Sequence, residues 1–182
     1  MMKRPECVLP GRQLSGIWIT SPHSGGTNKL FWIERAEEFC WMDITPIAAR
    51  LSIIVDNVRK LKSLQTLTYD EFAGDVIIQD AVERQLQIAI QAAIDVGSMI
   101  LAAESTQIPT TYKEIFAQMA DIGVIPSDFS QKLMKMAGFR NVLVHLYTVI
   151  DTERVYQYMQ SDLGDFELFV KYVGQYLADY TE

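Results

Sequence analysis

Histidine and cysteine are the scarcest of the residues that do chemistry: the chain has only His23 and His145, and only Cys7 and Cys40. The cysteines show neither metal-ligand spacing nor a C-x-x-C pair, so neither a zinc site nor a disulfide framework is supported. No apolar run approaches the ~18 residues that read as a bilayer span. The N-terminus lacks the basic patch and continuous apolar core of a secretory signal. The expected location is the cytoplasm, with no membrane partner. Basic charge is also short: 16 Lys and Arg face 23 Asp and Glu, for a net charge of −7. That argues against a protein whose whole surface grips nucleic acid, but it leaves room for a small basic cleft. Strand-length alternation, internal repeats and low-complexity tracts are absent, which leaves the all-α class.

What is present is the composition of an ordinary globular protein. The chain has 182 residues, 49% hydrophobic and 21% charged, enough for one domain with a real core. Residues 1–41 read differently from the rest. They hold all three tryptophans (Trp18, Trp32, Trp41), both cysteines, and Gly11, Gly16, Gly25 and Gly26. The stretch Thr20 to Asn28 is a loop by composition. Within it His23, beside Ser24 and two glycines, superficially resembles a nucleophile or phosphate loop, but it has no second partner and no following helix. A start codon, Met42, stands directly before a helix-start signal. The expectation is a loop-rich appended leader over 1–41 and a helical domain over 42–182. The other reading is a short cap that packs its tryptophans on the domain.

From Met42 onward the apolar residues recur at helical spacing. Thr45-Pro46 pairs an N-cap with proline at the first helical position, and Ile47, Leu51, Ile54, Val55, Val58 and Leu61 follow on one stripe. Thr68 to Glu71 is a capping-box signature. A long helix is expected over Val76 to Glu104, with the stripe Val82, Leu86, Ala89, Ile90, Ala93, Ile94 and Leu101. Its opposite face carries Asp80, Arg84, Gln87, Gln91 and Asp95. Such a face is usually solvated; its other use is to line a cleft shared with a partner. Thr111 to Glu114 opens a short helix that Gly123 and Pro126 end. Ser127-Asp128 starts the next, and Asp151 opens a last helical region, interrupted near Gly164, with Phe166, Phe169, Val170, Val173, Tyr176, Leu177 and Tyr180 as its stripe. About five helices with short connections imply an up-and-down bundle, and two long helices with wide apolar stripes leave a surface for a twofold dimer.

The stretch Gly138 to Tyr147 is where polar chemistry enters this apolar pattern. Arg140, Asn141, His145 and Tyr147 sit among Phe139, Val142, Leu143, Val144 and Leu146, and charged or polar groups are costly to bury without partners. On residue types alone, each has a bland reading: a satisfied core histidine, a structural ion pair, a packing asparagine, a core tyrosine. Each also has a chemical one. Histidine titrates near neutral pH and suits proton transfer. Arginine offers a permanently charged planar fork to phosphate oxygens. Asn141 and His145 are i,i+4 neighbours, so the amide can orient the imidazole.

The order Arg140, four residues, His145, one residue, Tyr147 resembles the R-x4-H-x-Y signature of HEPN-domain ribonucleases, with Asn141 at the polar position that commonly follows the arginine. Met136 to His145, and Val82 to Asp95, look like the HepT branch of that family. The resemblance covers about Asp43 to Tyr180. Leu146 and Thr148 depart from residues often found there, which bears on fine specificity. The resemblance implies a HEPN-like bundle acting as the toxin of a type VII-like toxin–antitoxin system, a metal-independent ribonuclease that cuts tRNA or mRNA without a cofactor. Arg140 and His145 would be catalytic, Asn141 supporting. A MntA-type nucleotidyltransferase antitoxin would transfer AMP to Tyr147, placing phosphate beside the arginines. Arg140 and His145 lie roughly 140° apart on an ideal helix, so one copy aims both at one phosphate only if the helix ends or bends between them. The resemblance implies the other solution, a homodimer whose two motifs face one cleft. The competing function is a non-catalytic helical module that binds a nucleotide or a protein, with Arg140 as an anion anchor.

Overall fold

One helix touches all the others. In the computed structural model, which describes residues 44–104, 106–144 and 151–181, the helix α3 (Val76–Ala103) packs against α1 (Ile44–Leu64), α2 (Tyr69–Gly74), α4 (Tyr112–Asp121), α5 (Ser127–Val144), α6 (Thr152–Ser161) and α7 (Leu163–Thr181). No strand occurs among the described residues. The expected leader, 1–41, and the expected boundary at Met42 lie outside the described residues.

The all-α expectation holds, with α3 as its centre. The stripe read from the sequence is buried throughout, and Ala92, Val96, Gly97 and Ile100 join it. By length and composition α3 is apolar enough to cross a bilayer, but more than half of that stretch is buried inside the bundle. Around it, Ile47, Ile54, Val58 and Leu61 close from α1, Phe116 from α4, and Phe166, Phe169 and Val173 from α7. Phe116 meets Phe169 edge to face, with centroids 6.2 Å apart, an arrangement the ring quadrupoles favour. Val55 falls off the expected α1 stripe: it is exposed, and Asn57 is buried, its amide donating to the Ile53 carbonyl at 2.6 Å.

The count of about five helices is corrected to seven among the described residues. Two short elements account for the difference. The capping box at Thr68 opens α2, a helix of 6 residues, too short to show a 3.6-residue periodicity. The last helical region is two helices, divided at Asp162, whose N–H bonds the Tyr158 carbonyl at 3.0 Å to close α6. The interruption expected near Gly164 is found there, at Asp162, with Gly164 itself in the first turn of α7.

The starts of α2, α3, α4 and α6 follow the capping residues, whereas α1 begins at Ile44, so that Thr45 and Pro46 lie inside its first turn. Thr68 and Glu71 satisfy each other's backbone N–H groups, Asp75 accepts from Ile77 and Ile78, and Asp151 accepts from Arg154. At α4 the box is split over two threonines: Thr111 accepts from the Glu114 N–H, while the Glu114 carboxylate takes the N–H and hydroxyl of Thr110. Hydrogen bonds from the Thr68 backbone, then its hydroxyl, hold the Glu71 carboxyl below the usual carboxylate range, and Thr110 does the same for Glu114. With folded pKa values depressed, the stabilisation from both caps is present above the unfolded value of about 4.3 and lost as pH falls through the folded one. Gly123, at φ +79°, supplies the left-handed residue that ends α4.

The close approach of α3 to α4 depends on Gly97. A Cβ there would lie 2.5 Å from Ile115 Cγ2 and 2.8 Å from Met119 Sδ. The contact sets α4 against the hub and so positions Tyr112, its first residue. Replacing Gly97 by Val is expected to cost about 1–3 kcal/mol through overpacking, read as a lower urea midpoint with an unchanged m-value.

Candidate functional site

Arg140 is placed by its neighbours on α5. Met136, Phe139 and Leu143 are buried, which anchors one side of the helix and turns Arg140 and Asn141 away from the core. Phe139 is stacked on Tyr158, with centroids 4.6 Å apart and planes 15° apart, and the Arg154 guanidinium lies 5.4 Å from the same ring. Burial first, then Asp162 and Asp165, pushes the Tyr158 phenol up, so it stays neutral. The ring pair therefore works as a packing anchor for this part of α5.

Arg140 is half-buried and lies in a pocket of about 220 Å³. Arg50 and Ile53 of α1 line it, together with Arg84, Gln87, Ile88, Gln91, Ala92 and Asp95 of α3. A chain of hydrogen bonds crosses it. Arg140 Nε donates to Gln91 Oε1 at 3.1 Å, Gln91 Nε2 donates to Asp95 Oδ1 at 2.8 Å, and Arg50 Nε donates to Asp95 Oδ2 at 3.1 Å. The Arg140 guanidinium also sits 5.3 Å from the centroid of the Tyr112 ring, a cation–π contact from the start of α4. Arg84 Nη1 donates to Gln87 Oε1 at 3.0 Å. Three arginines share the pocket with a single carboxylate, so the local charge is opposite in sign to that of the whole chain.

The face formed by Asp80, Arg84, Gln87, Gln91 and Asp95 reads in the sequence as solvated or as the lining of a cleft shared with a partner; here Arg84, Gln87, Gln91 and Asp95 form the floor of a cleft within one chain. The i,i+3 and i,i+4 spacing puts these residues on one side of α3, and α1 and α5 supply the walls. Arg50 has no signal of its own in the sequence, and only the packing of α1 on α3 brings it to Asp95. Of the four expected site residues, Arg140 is in the pocket and Asn141 is exposed on the adjoining face of α5. His145 and Tyr147 lie outside the described residues, as does the geometry by which Arg140 and His145 would converge.

A cleft walled by three helices, with two guanidinium groups held through their Nε atoms, suits an anion with several oxygens. The family model described as Ribonuclease HepT-like matches residues 54–173. The chain belongs to the HepT-like ribonuclease family. Among its relatives, the tRNA nuclease HepT of Aphanizomenon flos-aquae is 28% identical over 75% of this chain and 92% of its own. The mRNA nuclease HepT of Shewanella oneidensis is 32% identical over 62% of this chain and 86% of its own. Among solved structures, the tri-AMPylated Shewanella oneidensis HEPN toxin in complex with MNT antitoxin is 27% identical, covering 72% of this chain and 98% of that one with a TM-score of 0.67. The cytosolic protein YutE of Bacillus subtilis, of unknown function, shares the fold at a TM-score of 0.68 and 19% identity.

The position of Arg140 in this HepT-like bundle thus depends on the Phe139–Tyr158 stack. Replacing Phe139 by Ala is expected to cost about 3–5 kcal/mol. Equilibrium unfolding in urea, followed by circular dichroism, checks the value.

Proposed function

We propose that this protein is an RNA-cleaving toxin of the HEPN/MNT type, acting in the cytoplasm as a homodimer without metal, and silenced by a nucleotidyltransferase antitoxin that transfers AMP to Tyr147. The observation that carries the reading is the pocket in which Arg140 is fixed through Nε beside Arg50 and Arg84. It is a basic cleft of about 220 Å³ in a chain of net charge −7. The names of two relatives, one a tRNA nuclease and one an mRNA nuclease, support RNA as the substrate class. The tri-AMPylated state of the Shewanella toxin, and its complex with an MNT antitoxin, support the modification and the partner. The catalytic unit in this reading is 42–182, with 1–41 appended.

The chemistry assigned to these residues is transesterification. His145 takes the proton from a ribose 2′-hydroxyl, the resulting oxygen attacks the adjacent phosphorus, and the 5′-oxygen of the next nucleotide leaves and is protonated. The product strand ends in a cyclic phosphate. Arg140 binds the phosphate oxygens and stabilises the charge that builds on them in the transition state. Asn141 orients the imidazole. With the two copies facing one cleft, the arginine of one subunit and the histidine of the other act on the same phosphate. AMP on Tyr147 would bring phosphate to these arginines and obstruct the strand.

Purified protein is expected to cleave RNA with a chelator present. Replacing His145 by Ala should slow cleavage by ~10²–10⁴-fold, and replacing Arg140 by Ala by ~10²-fold or more, with the dimer retained in both. Undiminished cleavage by either variant would remove it from the catalytic assignment, and no cleavage by the wild type would leave a non-catalytic binding module. In a second experiment, intact-mass measurement after co-expression with an MNT-type nucleotidyltransferase should show the addition of one or more AMP units, lost in Tyr147→Phe. An unchanged mass would mean that the antitoxin acts by contact.

A further inference from the structure

Arg140 does not occupy its pocket alone. Arg50, contributed by α1, is held in the same manner: its Nε donates to Asp95 Oδ2 at 3.1 Å, as Arg140 Nε donates to Gln91 Oε1 at 3.1 Å. Gln91 and Asp95 are themselves joined at 2.8 Å. Asp95 therefore uses one oxygen for each neighbour, and Gln91 uses its oxygen for one arginine and its nitrogen for the carboxylate. An arginine whose role is only a structural ion pair commonly presents its planar fork to the carboxylate in two parallel bonds. Here each arginine is tethered at the base of the fork, and among the described residues no acceptor takes the terminal nitrogens of either one. Both forks line the same 220 Å³ pocket.

We propose that Arg50 is a second phosphate-binding residue of this site, taking the phosphodiester next to the one bound by Arg140, and that Gln91 and Asp95 are positioning residues that set the spacing of the two forks. The ligand class is single-stranded RNA gripped at two successive phosphates. The proposal rests on the ribonuclease reading and adds to it a residue and a relay that the R-x4-H-x-Y pattern does not contain. An amide suits the bridging position because it is donor and acceptor at once. It links a cation on one side to an anion on the other without adding charge to the pocket.

The experiment measures binding of a short 2′-O-methyl oligoribonucleotide, which keeps the phosphates but has no free 2′-hydroxyl, to the full-length protein by fluorescence anisotropy over a range of salt. Arg50→Gln is expected to weaken binding about tenfold and to reduce the slope of log K against log salt by ~0.7, one phosphate contact on a single strand. Arg50→Lys keeps the charge and loses the fork, so it should restore the slope but not the affinity. Gln91→Met should weaken binding with the slope unchanged, because both charges remain. Thermal unfolding of each variant confirms that the bundle is intact.

Wild-type affinity and slope in Arg50→Gln, alongside weakened binding in Arg140→Ala, would overturn the second fork and leave the ribonuclease reading in place. Full affinity in Arg50→Lys would show that charge alone is used, and full affinity in Gln91→Met would remove the positioning role. A wild-type protein that neither binds the oligomer nor cuts RNA would overturn the ribonuclease reading and this proposal with it.

Discussion

Burying α3 is the constraint that the rest of the structure serves. Its apolar residues are too widely spread around the helix for one neighbour to cover them, so six helices share the task. Ala92, Ala93 and Gly97 keep its surface low where neighbours press closest, and Ile90, Ile94 and Ile100 fill the gaps between them. On its other side lies a narrow polar strip. A strip of arginine, glutamines and aspartate must open on solvent or be paired by residues brought to it. Here α1 and α5 bring Arg50 and Arg140, and the strip becomes a cleft.

That arrangement explains how an acidic protein holds a basic site. The 23 acidic residues outnumber the basic ones, yet the pocket contains a single carboxylate, already engaged by Arg50 and Gln91. Among the described residues, other acidic groups cap α2, α3, α4 and α6 or pair across the surface as Glu167 does with Lys62. Charge is thus sorted by location. Coulomb interactions near a surface are short-ranged at physiological salt, so an anion in the cleft responds to the arginines beside it far more than to the distant excess of carboxylates.

The helical character, the hub helix and most helix ends were legible in the sequence because they depend on local rules. Thr68 with Glu71, Thr111, Gly123 and Asp151 each act within a few residues of themselves, and the stripe from Val82 to Leu101 declares its own period. The misses have equally physical causes. The helix α2 is shorter than two turns and leaves no periodic trace. Val55 is apolar, adjacent to Ile54, and still faces outward, since neighbours in sequence point about 100° apart on a helix. At the site, Arg140 was found through a motif. The partnership of Arg140 with Gln91, Asp95 and Arg50 spans separations of 49 and 45 residues. Periodicity says which side of α3 is polar; it does not say which helix will lie over that side.

The tether through Asp95 and Gln91 has a consequence in time as well as in space. Its four members come from α1, α3 and α5, and the last of them stands at residue 140. A ribosome delivers Arg50, Gln91 and Asp95 first, and for as long as α5 is unmade the amide oxygen of Gln91 has no guanidinium to hold. The cleft is therefore a late product of synthesis. Whatever it grips is gripped only after the bundle has closed around its central helix, so a truncated or unfinished chain carries the parts of the site without the site itself.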